Sequence, residues 1–381
     1  MDSKMLMVDL KGQYLKIKDE VDSGIREVLE SSSFINGPAV KRFRENLGRY
    51  MGGTGVITCA NGTDALQIAL MALGLKPGDE VIVPAFTYVS SAEVIALLGL
   101  VPVMVDVDPD TFNVGVENIR RALTPRTRAI IPVHLFGQSC DMEPILDFAD
   151  GHGLYVIEDN AQALGAEYTF RDGHRAKTGT MGTVGCTSFF PTKNLGCYGD
   201  GGAIFCNDAL LAEKLAMIAN HGQKVKYHHS VIGCNSRLDS IQAAVLDVKL
   251  RHLDAYSEAR REAAAYYDLK LRESDPDGKF FQVPHRLGRS THVFHQYTLK
   301  IRDGRRDSLK KFLADRGIPT MIYYPLPLQE QEAFLNVARA AEKLENAREC
   351  ACSVLSLPMH TELTRESQDA VIGSILEFFG L

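Results

Sequence analysis

The sequence predicts an α/β protein: a large domain built on a mixed, mostly parallel sheet between helices, followed by a smaller C-terminal α/β domain. Two observations carry that expectation. Between residues 56 and 206 short β-branched runs alternate with helical stretches, the pattern of a sheet covered on both faces. At residue 275 the run Ser274-Asp275-Pro276-Asp277-Gly278 interrupts the pattern, so the large domain, with an N-terminal arm and a linking helix, is placed at 1–274 and the small one at 275–381. With 381 residues, 45% hydrophobic and 24% charged, the chain is long enough for more than one core.

In chain order, residues 12–30 carry Ile17, Val21, Ile25, Val28 and Leu29 at helical spacing. Asn36-Gly37-Pro38 opens a second amphipathic helix with Val40, Phe43 and Leu47, proline suiting a first helical position. A strand at 56–60 runs into Asn61-Gly62-Thr63-Asp64 and an apolar helix at 65–73. Strands follow at 81–83, 101–107, 129–133 and 154–158, separated by helices at about 90–98, 116–123 and 143–152. Strands at 183–190 and 203–206 flank Lys193, and a helix at 211–219 ends at Asn220-His221-Gly222. A polar loop, 223–233, precedes one long helix from 240 to about 271. The small domain reads as a strand-like stretch at 293–301, a helix at 308–316, an element at 320–324 and two later helices.

A net charge of -6 offers no basic face for a nucleic-acid backbone. The first eleven residues lack the apolar core of a secretory signal, and the apolar run at 94–105 is broken by Gly99 and Pro102. Eight cysteines without a CxxC pair suit a reducing interior, so a cytoplasmic protein is expected, with no membrane span. His228-His229 has no third ligand at zinc-like spacing, so no metal is expected. His134 reads as a hydrogen-bonded core histidine, and Cys350-Ala351-Cys352 as helix packing.

In such a sheet ligands bind at the carboxyl ends of the strands. The turn at 61–64 can bind an anion through free backbone N–H groups at a helix start. An ordinary N-cap by Thr63 or Asp64 explains the same residues. Asp159 ends a strand, and alternation turns it with Ile157 to one face while Val156 and Glu158 take the other. Lys193 follows Pro191 in a turn with no carboxylate until Asp200. An amine placed so can lose its proton and become a nucleophile, whereas a solvated loop lysine is the plain alternative. With Tyr88, Gln162 and Ser188 the chain offers phosphate donors, a stacking ring, a carboxylate for a ring nitrogen and an amine. Pyridoxal 5'-phosphate requires that set.

Residues 158–166 (Glu-Asp-Asn-Ala-Gln-Ala-Leu-Gly-Ala), 188–202 and 233–238 resemble the DegT/DnrJ/EryC1/StrS family of sugar-nucleotide aminotransferases, a branch of the fold-type I pyridoxal phosphate enzymes, over nearly the whole chain. The resemblance implies that Lys193 bonds the cofactor covalently, Asp159 pairs with its ring nitrogen, and Gln162 and Tyr88 cover opposite ring faces. It implies that Gly62, Thr63 and Ser188 hold the phosphate, with Asn235 of a second subunit completing that site and Arg237 reaching the sugar. A homodimer with shared sites follows. One branch of the family carries histidine in place of the lysine and dehydrates its substrate; this chain keeps Lys193, so transamination with L-glutamate is expected.

Asn235 to Asp239, His295-Gln296-Tyr297 and residues 323–328 are similar to enzymes that aminate the 3-keto position of UDP-N-acetyl-hexuronic acids for surface polysaccharide. Tyr323 and Tyr324 are therefore placed against the substrate. Where such enzymes can carry His-Tyr-Pro, this chain has Tyr323-Tyr324-Pro325, which removes one cation from beside a sugar carboxylate. Competing expectations are amination of a 3- or 4-keto dTDP- or UDP-6-deoxysugar, a lyase or dehydratase on the same fold, and a non-catalytic regulator.

Overall fold

The computed structural model describes residues 5–381. The N-terminal arm is two helices, α1 (Leu10–Lys16) and α2 (Lys18–Ser31), divided at Ile17, and α3 (Pro38–Tyr50) follows with Pro38 at its first position. Next, β1 (Gly55–Cys59), α4 (Gly62–Leu73), β2 (Glu80–Pro84), α5 (Ser90–Leu97), β3 (Val101–Val105), α6 (Val116–Ala122), β4 (Thr127–Ile130), α7 (Met142–His152) and β5 (Tyr155–Asp159) alternate as the sequence pattern expects. A hairpin of β6 (Glu167–Thr169) and β7 (Arg175–Lys177) is additional, its strands too short to show a period. Then come β8 (Val184–Ser188), β9 (Gly202–Cys206), α8 (Ala209–Ala219) and an exposed pair, β10 (Gln223–Val225) and β11 (His228–His229), inside the expected loop.

The expected long helix is two helices, α9 (Ser240–Leu250) and α10 (Leu253–Ser274). The break has a packing reason. Ala244, Leu246 and Leu250 of α9 lie in the core that also holds Val28, Phe43 and Leu47, whereas Ala264, Tyr267 and Leu271 of α10 belong to a second core. That second core lies on an antiparallel sheet of β12 (Phe281–Gln282), β13 (Tyr297–Ile301) and, later, residues 354–357, with α11 (Arg306–Asp315) beside it. Residues 293–296, expected as strand, instead bond Gly137 and Phe136 ahead of β13. Residues 320–324 form no strand beyond one bridge from Met321 to Ser356. The short β14 (Arg339–Ala340) returns to pair with β3, and α12 (Glu345–Ser353), β15 (Val354–Leu357) and α13 (Arg365–Phe379) complete the chain. In α12 Cys350 is buried and Cys352 exposed, so the two thiols do not pack together.

The large sheet runs β1-β9-β8-β5-β4-β2-β3-β14. All its pairs are parallel except those of β9, which lies antiparallel between β1 and β8. Successive residues serve opposite layers: Val81, Val83 and Ile157 join one core, Ile82 and Val156 the other. The same alternation separates Glu158 from Asp159. Glu158 is fully enclosed and accepts backbone N–H groups from Gly179 (2.7 Å), Met181 (2.6 Å) and Gly182 (2.6 Å). His134 Nδ1 accepts from the Cys140 N–H at 3.1 Å, which leaves Nε2 to donate to Glu158 at 2.9 Å.

Glu158→Ala would leave one buried and two part-buried N–H groups without their acceptor, each costing about 1–3 kcal/mol where no water replaces it. The expected loss of unfolding free energy is at least about 3 kcal/mol, read by denaturant unfolding of cofactor-free protein. A loss under about 1 kcal/mol would show that this network does not hold β5 in place.

Candidate active site

Register brings the first part of the site together. Gly202 of β9 lies opposite Cys59 of β1 on one side and Ser188 of β8 on the other. A Cβ on Gly202 would run into the Asn61 carbonyl, and one on Gly62 would stand 2.7 Å from the Ser188 Cβ. Side-chain-free backbone at both positions lets the turn at 61–63 settle directly on Ser188. Helix α4 begins at Gly62, and Asn61 caps it by accepting from the Asp64 N–H at 2.8 Å. The cap is therefore Asn61, not Thr63 or Asp64. Asn followed three residues later by the capped amide is a recognisable start signal. The Gly62 and Thr63 amides have no acceptor among the described residues, and both residues line a cavity of about 660 Å³.

The same cavity is lined by Tyr88, Asp159, Gln162, Ser188, Lys193, Tyr323 and Tyr324, so nine of the eleven expected site residues meet there. Asp159 Oδ2 accepts from Ser91 Oγ at 2.7 Å and Oδ1 from the Ala161 N–H at 3.1 Å, which aims the carboxylate. Gln162 is held at both ends: Oε1 accepts from the Phe136 N–H at 2.8 Å and Nε2 donates to the Tyr324 hydroxyl at 3.1 Å. Tyr88, 54% exposed, tilts 44° against Tyr324 at 6.1 Å between ring centres and so presents a free face to the cavity. Tyr323 and Tyr324 are joined by a cis peptide bond.

Lys193 stands on a turn closed by its own N–H to Phe190 O at 2.8 Å. Its neighbour Asn194 donates to Val293 O at 2.8 Å and ties the turn to the segment before β13. No hydrogen bond reaches the amine from the described residues. Burial pushes the Lys193 ammonium down to about 8, while the Asp159 charge pulls the other way. The residue keeps some surface, and that surface faces the cavity.

Asn235 and Arg237 lie elsewhere on the same chain. Asn235 is exposed and bridges Asn220; Arg237 donates to Asn220 Oδ1 at 3.3 Å beside a separate hollow with Lys41 and Arg44. Their expected roles concern a second subunit's cavity and find no counterpart within one chain. Ser91, absent from the sequence expectations, reaches Asp159 from 68 residues away and leaves no local pattern. His295 and Gln296, which also line the cavity, had a motif but no assigned role.

These residues fit pyridoxal phosphate. The paired close approaches at Gly62 and Gly202 leave open amides for a phosphate, Tyr88 and Gln162 could cover a flat ring, Asp159 offers a carboxylate for its nitrogen, and Lys193 offers an amine unpaired among the described residues. When bound, that cofactor supplies an aldehyde carbon for an amine and a pyridine ring that accepts electron density. Lys193 would be the residue that holds it, and its free amine would be the base that moves a proton. Asp159, fixed by Ser91, is the carboxylate that would hold the proton on the ring nitrogen. Ser188 and the α4 amides would orient the phosphate, and Gln162 with Tyr324 would keep water from one face.

A depressed amine is directly measurable. In cofactor-free protein the acylation rate of Lys193, followed by mass spectrometry across pH, is expected to rise through a midpoint near 8. The direction follows from the shift: below 8 the amine is protonated and unreactive, above it free, and an inflection at the ordinary value of 10.5 would contradict the enclosure described.

The family described as the DegT/DnrJ/EryC1/StrS aminotransferase family matches residues 15–376. A pleiotropic regulatory protein of Geobacillus stearothermophilus is 48% identical, over 98% of both chains. The UDP-2-acetamido-2-deoxy-3-oxo-D-glucuronate aminotransferase of Pseudomonas aeruginosa is 46% identical over 94% of this chain and 96% of that protein. The crystal structure of a DegT DnrJ EryC1 StrS aminotransferase from Brucella abortus superposes with a TM-score of 0.93 at 41% identity, covering 99% of this chain and 100% of that one. The chain belongs to the DegT/DnrJ/EryC1/StrS aminotransferases, fold-type I enzymes that use pyridoxal phosphate to aminate sugars.

Proposed function

We propose that this enzyme transfers the amino group of L-glutamate to C3 of a nucleotide-linked keto-sugar, UDP-2-acetamido-2-deoxy-3-oxo-D-glucuronate, in the cytoplasm, for surface polysaccharide. The observation that carries the chemistry is the enclosed, unpaired Lys193 amine sharing one cavity with the oriented Asp159 carboxylate. The likeness to the Pseudomonas aeruginosa enzyme supports the substrate. Lys193 and Asp159 are the catalytic pair; Gly62, Thr63, Tyr88, Gln162 and Ser188 bind the cofactor; Tyr323 and Tyr324 face the sugar.

The enzyme works as a homodimer in which the partner's Asn235 completes the phosphate site and the partner's Arg237 meets the sugar. A charge argument supports this. The cavity wall carries Asp64, Asp159 and Asp200 against Lys193 alone, although cofactor, nucleotide and glutamate are all anionic. Bidentate pairing by an arginine would supply the missing charge. The same shortage, with Tyr323 in place of a histidine, favours a second reading in which the 3-keto sugar bears no carboxylate.

L-glutamate with a panel of UDP- and dTDP-linked 3-keto sugars should yield 2-oxoglutarate, fastest with the uronate. Ammonia or pyruvate without 2-oxoglutarate would mark a lyase, and no turnover with any sugar would leave the regulatory role that one relative's name carries. Lys193→Ala is expected to abolish turnover and the bound cofactor's visible absorbance. Asp159→Asn should lower kcat by at least about 100-fold, the scale of a lost protonation or electrostatic contribution.

A further inference from the structure

Residues 293–296 are held with unusual thoroughness for a segment outside regular structure. Val293 N–H donates to Gly137 O at 2.9 Å, and Asn194 beside Lys193 donates to Val293 O at 2.8 Å. Phe294 N–H donates to His292 Nδ1 at 3.0 Å, and Gln296 N–H to Phe136 O at 3.4 Å. From the other side Arg260 of α10, itself buried, donates through Nη1 to Phe294 O at 3.0 Å and Met359 O at 3.1 Å. Phe294 has φ of 45°, a left-handed conformation that a bulky residue keeps only where its surroundings impose it. The product of this bracing is a fixed pair of side chains, His295 and Gln296, in the cavity wall beside Lys193.

His295 is 7% exposed, and its Nδ1 is enclosed without a hydrogen-bond partner. Nε2 makes no hydrogen bond with the described residues either, and the residue lines the cavity. With Nδ1 enclosed, Nε2 is the nitrogen that a molecule in the cavity can meet, and a nearly buried ring nitrogen left unpaired is costly. Burial, with Lys193 and Arg260 adding to it, holds the ring well below its ordinary value and therefore neutral. A neutral imidazole has no charge for a carboxylate. A hydroxyl suits it in either tautomer, because a hydroxyl both donates and accepts.

We propose that His295 is the contact for a ring hydroxyl of the keto-sugar, braced for that role by Arg260 and Asn194 as positioning residues. The proposal rests on the sugar-aminotransferase reading and adds to it a specificity residue. Glutamate offers no hydroxyl, so the proposal assigns His295 to the sugar half of the reaction, which the glutamate half-reaction tests directly.

The test uses calorimetry with UDP-N-acetyl-D-glucosamine and with UDP alone, together with the glutamate half-reaction of cofactor-loaded enzyme followed by its spectrum. His295→Ala is expected to weaken UDP-N-acetyl-D-glucosamine binding by about tenfold, the scale of one hydrogen bond. UDP binding and the glutamate half-reaction should stay within about twofold of wild type. His295→Asn, which keeps a hydrogen-bonding side chain, should recover part of the loss, whereas a merely structural role would make it as defective as alanine. Unchanged sugar binding in His295→Ala, or an equal fall in the glutamate half-reaction, overturns the proposal while wild-type turnover keeps the aminotransferase reading. Wild-type protein that neither binds UDP-N-acetyl-D-glucosamine nor turns over any keto-sugar sinks both.

Discussion

The site depends on the insertion of one reversed strand into a parallel sheet. Because β9 runs antiparallel between β1 and β8, its first residue, Gly202, sits level with the carboxyl ends of both neighbours. Any side chain there would strike Asn61, so the turn after β1 and the end of β8 could not close on each other. The contact places the open amides of α4 beside Ser188. It also sets the exit of β8: Phe189 N–H bonds Gly201 O at 2.7 Å and Cys197 N–H bonds Phe189 O at 2.8 Å, and the loop between them carries Lys193. A backbone constraint thus fixes the distance between the open amides of α4 and an amine that lies 130 residues from Thr63 in sequence.

Electrostatics then divides two adjacent acids. Glu158 spends all its lone pairs on backbone N–H groups and His134, away from the cavity, and acts as a structural anchor for the end of β5. Asp159 keeps a face free because Ser91 and Ala161 supply only one bond to each oxygen. The anchor makes the free acid accurate. Backbone bonds from Asp159 N–H to Pro132 O at 2.9 Å and from Asn160 N–H to Cys186 O at 2.7 Å hold the same strand end, and a carboxylate free to swing toward a buried amine would pair with it. Lys193 would then be pushed up instead of down.

Much of this was legible in the sequence because it rests on local chemistry. Alternation of apolar residues marks the strands, Pro38 marks a helix start, and the period of two separates Asp159 from Glu158. The features that were not legible share a physical cause. The division of α9 from α10 is imposed by two cores that compete for one helix, which no propensity near Arg251 or His252 announces. The strand-like run at 293–301 has the right residues for a strand throughout, yet its first four are claimed by Gly137, Phe136, Asn194 and Arg260, each distant in sequence.

The site residues divide in the same way. Lys193 and Asp159 stand out because an unpaired lysine after a buried strand and an acid at a strand end are unusual locally. Ser91 does not, since a serine in an apolar helix has many uses and only its partner 68 residues away gives it this one. His295 is harder still. Its distinction is an absence, two ring nitrogens with nothing to bond, and an absence of partners becomes visible only when every neighbour has been placed. Lys193 and Asp159 carry chemistry that leaves a pattern in sequence; Ser91 and His295 are defined by what the folded chain sets beside them or leaves open.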